Sequence, residues 1–490
     1  MGSKGGNSIA TSMIYKTVEK YVMMGFQLVV QIVIARILCP EDYGVVAMMS
    51  VFINIANIFI QRGFSQALIQ KKDADEIDFA TAFTINLSLG TFLYVVLFVC
   101  SPAIARFYNQ PMLTTTLRVL ALILPISSTT SIVSAIEQKN MHFGVVFKCN
   151  VIGSFVSGCA GIIAALCGLG TWALIIQQLT SVVVGNRLYI HNSSWKPKLG
   201  YNAFSAKAMF GFGWKMLVAG LINEIYNELN SLIIGKKYSS ADLAFYTKGK
   251  SFPTYVTMGV DNALTAVTLS AFSKKQDDLK YIHALFQKAL VINSYMLFPI
   301  LTILAVAASP LITVLLTDKW LPIAPFMQIC CFTLAFHPIQ ALDMQAIAAV
   351  GRSDMRLKLE LIKKPFGIIL LILAIPYGPM AIAASAAVTS IFSLIIGTIA
   401  CNKCIQYTVR KHFIDILPIL TASAFTGVVV YSVGLIPLIP ILKLLVQGVV
   451  GVGIYLLISI VFKMKGYKFL MEQLPRFLEK FKKHKKNDSI

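Results

Sequence analysis

Apolar blocks long enough for a membrane-spanning helix recur along the whole chain, and they decide what it can fold into. In hydrocarbon every backbone N–H and C=O must be satisfied internally, so a spanning segment is a helix or part of a closed barrel. Blocks of about 20 residues or more suit helices and exceed a barrel strand. Fourteen are read, at 12–38, 43–69, 79–105, 112–138, 143–167, 171–190, 210–234, 252–272, 282–316, 323–350, 359–375, 380–401, 413–435 and 441–462. The expected fold class is an all-α polytopic membrane protein. Of 490 residues, 57% are hydrophobic and 13% charged, against about a quarter charged in soluble domains. A soluble enzyme, a disordered chain and a secreted disulfide scaffold are excluded. The nine cysteines lie mostly inside apolar blocks, where a thiol behaves as a small hydrophobe. Lys16, Glu19 and Lys20 interrupt the first block where a cleavable signal would need an apolar run.

Charge orients the helices. The chain carries 43 Lys and Arg against 22 Asp and Glu, a net charge of +21. Such an excess belongs in cytoplasmic loops, so membrane rather than nucleic acid is the partner it implies. With fourteen spans, 31 of the 43 basic residues fall on the side of the two termini, nine on the other, and Arg62, Lys215 and Lys288 inside helices. Both termini are therefore expected in the cytoplasm of a multi-pass protein. Lys236, Lys237, Lys248 and Lys250 are the misfit, read as a basic cluster on the outer side. Beyond residue 462 the tail is amphipathic, with Phe469, Leu470, Leu474, Phe477, Leu478 and Phe481 against Lys468, Arg476, Lys480, Lys482 and Lys483. That pattern suits a helix on the anionic inner leaflet, and a solvated basic tail for the last six residues.

An offset of 200 residues superposes two parts of the chain. Ile34 falls on Ile234, Arg36 on Lys236 and Asp42 on Asp242. The polar stripe Ser50, Asn54, Asn57, Gln61 and Ser65 falls on Lys250, Thr254, Thr257, Asp261 and Thr265. Steps of three and four keep each set on one helical face. Gln27 and Gln31 continue the theme opposite Asn227 and Ser231, and Gly170–Ala173 matches Gly378–Ala381. Six helices repeating as six keep the same topology, so the halves are parallel repeats about an axis along the membrane normal. The expected division is an N-lobe at 1–205, a C-lobe at 206–404, two extra helices at 405–463 and a basic tail at 464–490. Polar stripes facing lipid are costly, so matched stripes are expected to line a cavity between the lobes. Singly, each Ser, Thr or Asn also has a plainer role, bonding across a helix contact for about 0.6 kcal/mol.

The segment Ile34-Ala-Arg-Ile-Leu-Cys-Pro-Glu-Asp-Tyr-Gly-Val-Val-Ala-Met48 resembles the opening signature of Wzx-type polysaccharide flippases. These belong to the multidrug/oligosaccharidyl-lipid/polysaccharide exporter superfamily, and the likeness is closest to the colanic-acid and teichuronic-acid exporter branch. The resemblance extends over the chain through the helix count, two six-helix lobes and two C-terminal helices. It implies alternating access that moves an undecaprenyl-pyrophosphate-linked oligosaccharide from the inner to the outer leaflet of a bacterial cytoplasmic membrane, for capsule, exopolysaccharide or O-antigen. It also implies coupling to a cation, H⁺ or Na⁺, and no other cofactor. A polysaccharide polymerase is a possible partner, and a monomer is expected.

Residue chemistry suits a substrate with a pyrophosphate and hydroxyl-rich sugars. Such a substrate needs fixed cations with amide and hydroxyl partners. The candidate substrate-binding residues are Arg62, Gln27, Gln31, Asn54, Asn57, Gln61, Lys148, Lys215, Lys250 and Lys288. For Arg62 and the lysines, snorkelling to the interface is the plainer alternative. The candidate coupling residues are Glu224, Glu228, Asp261 and Asp343, with Glu224 first and Asn223, Asn227 and Asn230 beside it. No catalytic or metal site is read, and the lone pair Cys401 and Cys404 is set aside as a zinc site. Two rivals remain open: a multidrug cation antiporter, which would need an acidic, aromatic-lined cavity, and a membrane polymerase or glycosyltransferase, which would need a large outer loop.

Overall fold

A computed structural model describes residues 23–71, 73–140, 142–274 and 278–471 of the chain. Among them every regular element is a helix. The chain packs as two units, Met1–Ala244 and Phe245–Ile490.

The first unit contains α1 (Met23–Ile37), α2 (Pro40–Arg62), α3 (Phe64–Gln70), α4 (Glu76–Tyr108), α5 (Met112–Leu120) and α6 (Ile123–Lys139). It continues through α7 (Phe143–Leu166), α8 (Thr171–Asn192), α9 (Ala203–Lys237) and the first turn of α10 (Ser240–Lys274). The second unit holds the rest of α10, α11 (Leu279–Val306), α12 (Ala308–Leu316), α13 (Ile323–Ala335) and α14 (His337–Ala349). It ends with α15 (Ser353–Ala374), α16 (Pro379–Ile405), α17 (Val409–Gly434), α18 (Pro440–Val461) and a helical turn at 465–471.

Nine helical segments among the described residues are long and apolar enough to cross a membrane. Many exposed side chains on them are apolar, as in Phe92 and Val99 of α4, Ile163 and Leu166 of α7, and Val449 and Leu457 of α18. Water would make such surfaces costly and lipid does not. Four further helices are long enough, α8 and α15 at 22 residues and α9 and α10 at 35.

Two expectations need correction. Several spans read as single helices are broken, at Gly63, at Ala121 and Leu122, at Ala307 and at Phe336. Pro338 in the first turn of α14 explains the last, since proline cannot continue a preceding helix without losing a backbone bond. The outer loop expected before residue 252 is also mostly absent. Only Tyr238 and Ser239 separate α9 from α10, so Lys248 and Lys250 sit inside α10 rather than in a loop. Neither Gly249 nor Pro253 stops the helix, and α10 runs through both.

The repeat has local counterparts in geometry. At the start of α2, the Cys39 amide donates to Asp42 Oδ2 at 3.2 Å. At the start of α10, the Ser239 amide donates to Asp242 Oδ2 at 3.1 Å. A carboxylate three residues into a helix captures an otherwise orphaned amide and sits at the positive end of the helix dipole. Gly170 and Gly378, also paired by the repeat, precede α8 and α16 with φ of +52° and +101°.

The signature segment has structural work beyond the cap. Asp42 also accepts from Thr171 Oγ1 at 2.8 Å, tying α2 to α8. Gly44 packs against the α9–α10 turn so closely that a Cβ there would sit 1.9 Å from the Ser240 carbonyl oxygen. Only a residue without a side chain permits that approach.

Near the α3 end, the first unit is closed by an apolar cluster of Leu68, Phe83, Val133, Ile136, Tyr189, Trp195 and Met209. Glu137 is fully buried beside it and accepts from Ser193 Oγ at 2.6 Å, from the Ser194 amide and hydroxyl at 2.9 Å, and pairs with His142 at 3.0 Å. Glu137 is thus a loop anchor, holding the α8–α9 connection.

Candidate functional site

The candidate site in the first unit is the polar face where α2 and α9 pack together. Asn54 and Gln61 are exposed on α2, and Asn57 is half-buried. Asn223 and Asn227 are exposed on α9, with Glu224 and Glu228 half-buried beside them, while Lys215, also exposed, lies roughly 140° round the helix from Gly220 and so off the face turned to α2. Asn54 Nδ2 donates to Glu228 Oε1 at 2.9 Å, joining two residues 174 positions apart. Arg62 closes the last turn of α2, exposed, with its aliphatic stem on α9: a Cβ on Gly220 would lie 3.3 Å from Arg62 Cγ. The guanidinium is free to reach outward while the stem packs. The face thus combines one guanidinium, amides and two carboxylates.

The expected stripe on α2 is not continuous. Gly63 ends α2, and Ser65 on α3 turns inward, buried against Ser131 Oγ at 2.5 Å and the Ile60 carbonyl. Ser50 Oγ donates to its own helix at the Val46 carbonyl. A serine or threonine hydroxyl readily back-bonds four residues up its helix, and nothing in the sequence distinguishes that from a cavity-facing hydroxyl. On α10, Thr254 and Thr257 do the same, to the carbonyls of Lys250 at 2.7 Å and Pro253 at 2.5 Å. Thr257 is buried, and Lys250 is exposed. The side chain of Asp261 lies outside the described residues.

The remaining cations are dispersed. On α1, Gln27 is exposed and Gln31 half-buried. Lys148 is exposed on α7. Lys288 on α11 lies over the Phe469 ring at 5.2 Å, so it meets the first turns of the C-terminal tail. The tail is further held by Asp415, which accepts from Lys465 at 2.9 Å, Gln287 at 2.7 Å and Tyr407 at 2.5 Å. Burial, then the Asp415 carboxylate, push the Tyr407 phenol above its ordinary pKa. Next to that hub a cavity of about 700 Å³ opens between α17, α18 and the tail. Its walls are apolar (Pro418, Phe425, Ile458, Phe462), with Asp415, Lys463 and Lys465 at its polar end.

Asp343 is unlike the carboxylates of α9. It is completely buried on α14, and its Oδ1 pairs with His412 Nε2 of α17 at 3.1 Å. Cys401 of α16 completes a trio whose donor atoms all lie within 4.8 Å of one another. Lys363 of α15 is also buried nearby. Sequence reading sets Cys401 aside with Cys404 and misses His412 and Lys363, because no spacing rule links four different helices.

A family model described as a polysaccharide biosynthesis protein matches residues 33–325. The teichuronic acid biosynthesis protein TuaB of Bacillus subtilis (strain 168) is 24% identical over 78% of this chain and 79% of its own length. The lipopolysaccharide biosynthesis protein WzxC of Escherichia coli (strain K12) is 23% identical over 84% and 81%. Among solved structures, the lipid II flippase MurJ in an inward closed conformation superposes with a TM-score of 0.73 at 16% identity, covering 94% of this chain and 100% of that one. An inward-facing multidrug resistance transporter of the MOP superfamily gives 0.61 at 14%, covering 81% and 100%. At these identities the structural likeness speaks to the fold.

Proposed function

Because the chain belongs to the family of polysaccharide biosynthesis proteins, we propose that it is a flippase for an undecaprenyl-pyrophosphate-linked oligosaccharide. It works in the bacterial cytoplasmic membrane, carries its substrate from the inner to the outer leaflet by alternating access, and performs no covalent chemistry. The observation that carries the reading is the α2–α9 face, where Arg62 stands among Asn54, Gln61, Asn223 and Asn227. A pyrophosphate takes a guanidinium through paired charge-assisted hydrogen bonds, and sugar hydroxyls take amides, which both donate and accept. Glu228, engaged by Asn54, and Glu224 are placed to exchange a proton or Na⁺ as substrate enters and leaves.

The nine apolar segments, with α1, α8, α9, α10 and α15, account for the fourteen spans of this reading. In it the helices form two parallel six-helix lobes, at 1–205 and 206–404, with α17 and α18 added and both termini cytoplasmic. The polyprenyl tail stays in lipid, and the apolar cavity beside α17 and α18 is wide enough to shelter part of it. A monomer suffices, with a polysaccharide polymerase as the receiving partner.

Reconstitution tests the proposal. Proteoliposomes holding the purified chain and a fluorescent undecaprenyl-pyrophosphate oligosaccharide should expose the sugar on the opposite leaflet, faster under a pH or Na⁺ gradient. Failure to exceed protein-free vesicles, under either gradient, would refute it.

A further inference from the structure

The buried trio in the second unit has a donor set the transport reading does not use. Asp343, Cys401 and His412 are 0%, 0% and 2% exposed, on α14, α16 and α17. They offer one oxygen, one sulfur and one nitrogen, all within 4.8 Å of one another. A tetrahedral ion with bonds of about 2.0–2.3 Å needs donors roughly 3.3–3.8 Å apart, so small side-chain shifts suffice. Mixed sulfur and nitrogen donors select zinc-like ions over Mg²⁺ or Ca²⁺, which prefer oxygen alone.

Two details point to a ligand and not to packing. Asp343 Oδ2 is buried and meets no nitrogen or oxygen donor, and beyond His412 only the weakly donating Cys401 thiol adjoins the carboxylate. An unpaired carboxylate oxygen away from water is costly. His412 is oriented from behind: its Nδ1 faces the Thr408 carbonyl at 3.5 Å, and Tyr407 and Phe286 pack edge-on at 4.8 and 5.3 Å between ring centres. A ring nitrogen turned to a backbone carbonyl leaves the other nitrogen's lone pair for a ligand, the usual outer arrangement of a metal-bound histidine.

Gly397, one turn before Cys401, keeps space beside the carboxylate, since a Cβ there would lie 3.3 Å from Asp343 Oδ2. Lys363 Nζ would lie 3.9 Å from the same point. Its positive charge opposes a cation and offsets the carboxylate when the thiol is protonated. Cys404, by contrast, packs among Ile347, Leu359 and Ala400.

We propose that Asp343, Cys401 and His412 form a site for one divalent zinc-type metal ion that ties α14, α16 and α17 together. Binding exchanges the ion for the Cys401 thiol proton, with no change of oxidation state.

The test uses the full-length chain, purified in detergent, stripped with chelator and titrated anaerobically with Co²⁺ and Zn²⁺. One Co²⁺ per chain should bind, with a thiolate-to-metal charge-transfer band in the near ultraviolet and tetrahedral d–d bands in the visible. Zn²⁺ should displace it. Cys401→Ser should lose the charge-transfer band, Cys404→Ser should keep it, and Lys363→Met should bind at least as tightly as the unmodified chain. Should Cys401→Ser fail to fold, site-resolved alkylation of the unmodified chain decides the matter: Zn²⁺ should protect Cys401 and leave Cys404 reactive. No charge-transfer band and equal Cys401 alkylation with and without Zn²⁺ would overturn the site. So would a band that survives Cys401→Ser and vanishes in Cys404→Ser.

Discussion

Helices α2 and α10 begin alike and then diverge. Each starts with a carboxylate, Asp42 or Asp242, capturing the amide three residues back. Three turns and more further on, α2 presents Asn54 and Gln61 outward, while α10 closes Thr254 and Thr257 onto its own carbonyls. The repeat therefore preserves how a helix starts and not what it offers. The Asn54 amide is taken across to Glu228 of α9, whereas the threonine hydroxyls bond their own helix. On α2 the amides at 54 and 61 stay exposed, and on α10 the hydroxyls at 254 and 257 are taken by the helix itself.

The strongest test of the comparison is steric. Gly44→Val drives a side chain into the Ser240 carbonyl. It should cost about 3 kcal/mol or more, seen as a large fall in thermal midpoint and in membrane yield. The position matched by the repeat, Ala244, already carries a Cβ in a buried site. An unchanged midpoint for Gly44→Val would break the account of the signature segment.

Next comes charge. Arg62→Ala should lower the flip rate by at least about tenfold, or ~1.4 kcal/mol, with normal insertion. Arg62→Lys should recover part, since a point charge replaces a bidentate one incompletely. Equal rates for all three would leave the arginine as an interfacial anchor. Glu228→Gln and Glu224→Gln should each remove the gradient-stimulated part of transport while basal flipping persists. If both keep full stimulation in a pH and a Na⁺ gradient, coupling lies outside α9. The smallest effect belongs to α10: Thr257→Val should change stability by under about 1 kcal/mol and transport by less than about twofold. A larger transport loss would show that the hydroxyl leaves its helix during the cycle.

What the sequence disclosed follows from the range of its signals. Hydropathy and helical period are local, so the positions of most helices are legible; the repeat pairs Asp42 with Asp242, but with a span expected from 252 the helix start at Asp242 is not. Breaks were less so: Gly63 rotates Ser65 out of the stripe, and one glycine in an apolar run does not announce a break. The lysines at 248 and 250 were misplaced because charge alone was taken to mark a loop, although a long helix carries them. Partners across helices were illegible. Asn54 and Glu228 are 174 residues apart, and Asp343 and His412 are 69 apart, with no periodicity joining them. Lys288 shows the same limit, since only the fold brings Phe469 over it.

Substrate protection at α2 and α10 tests the central claim most directly. Asn54→Cys and Thr257→Cys are placed in separate chains in proteoliposomes, and alkylation at each new thiol is followed by mass spectrometry with and without added lipid-linked oligosaccharide. The account predicts that substrate slows alkylation of the thiol at 54 and leaves the one at 257 unchanged. Protection at 257 with none at 54 would contradict it.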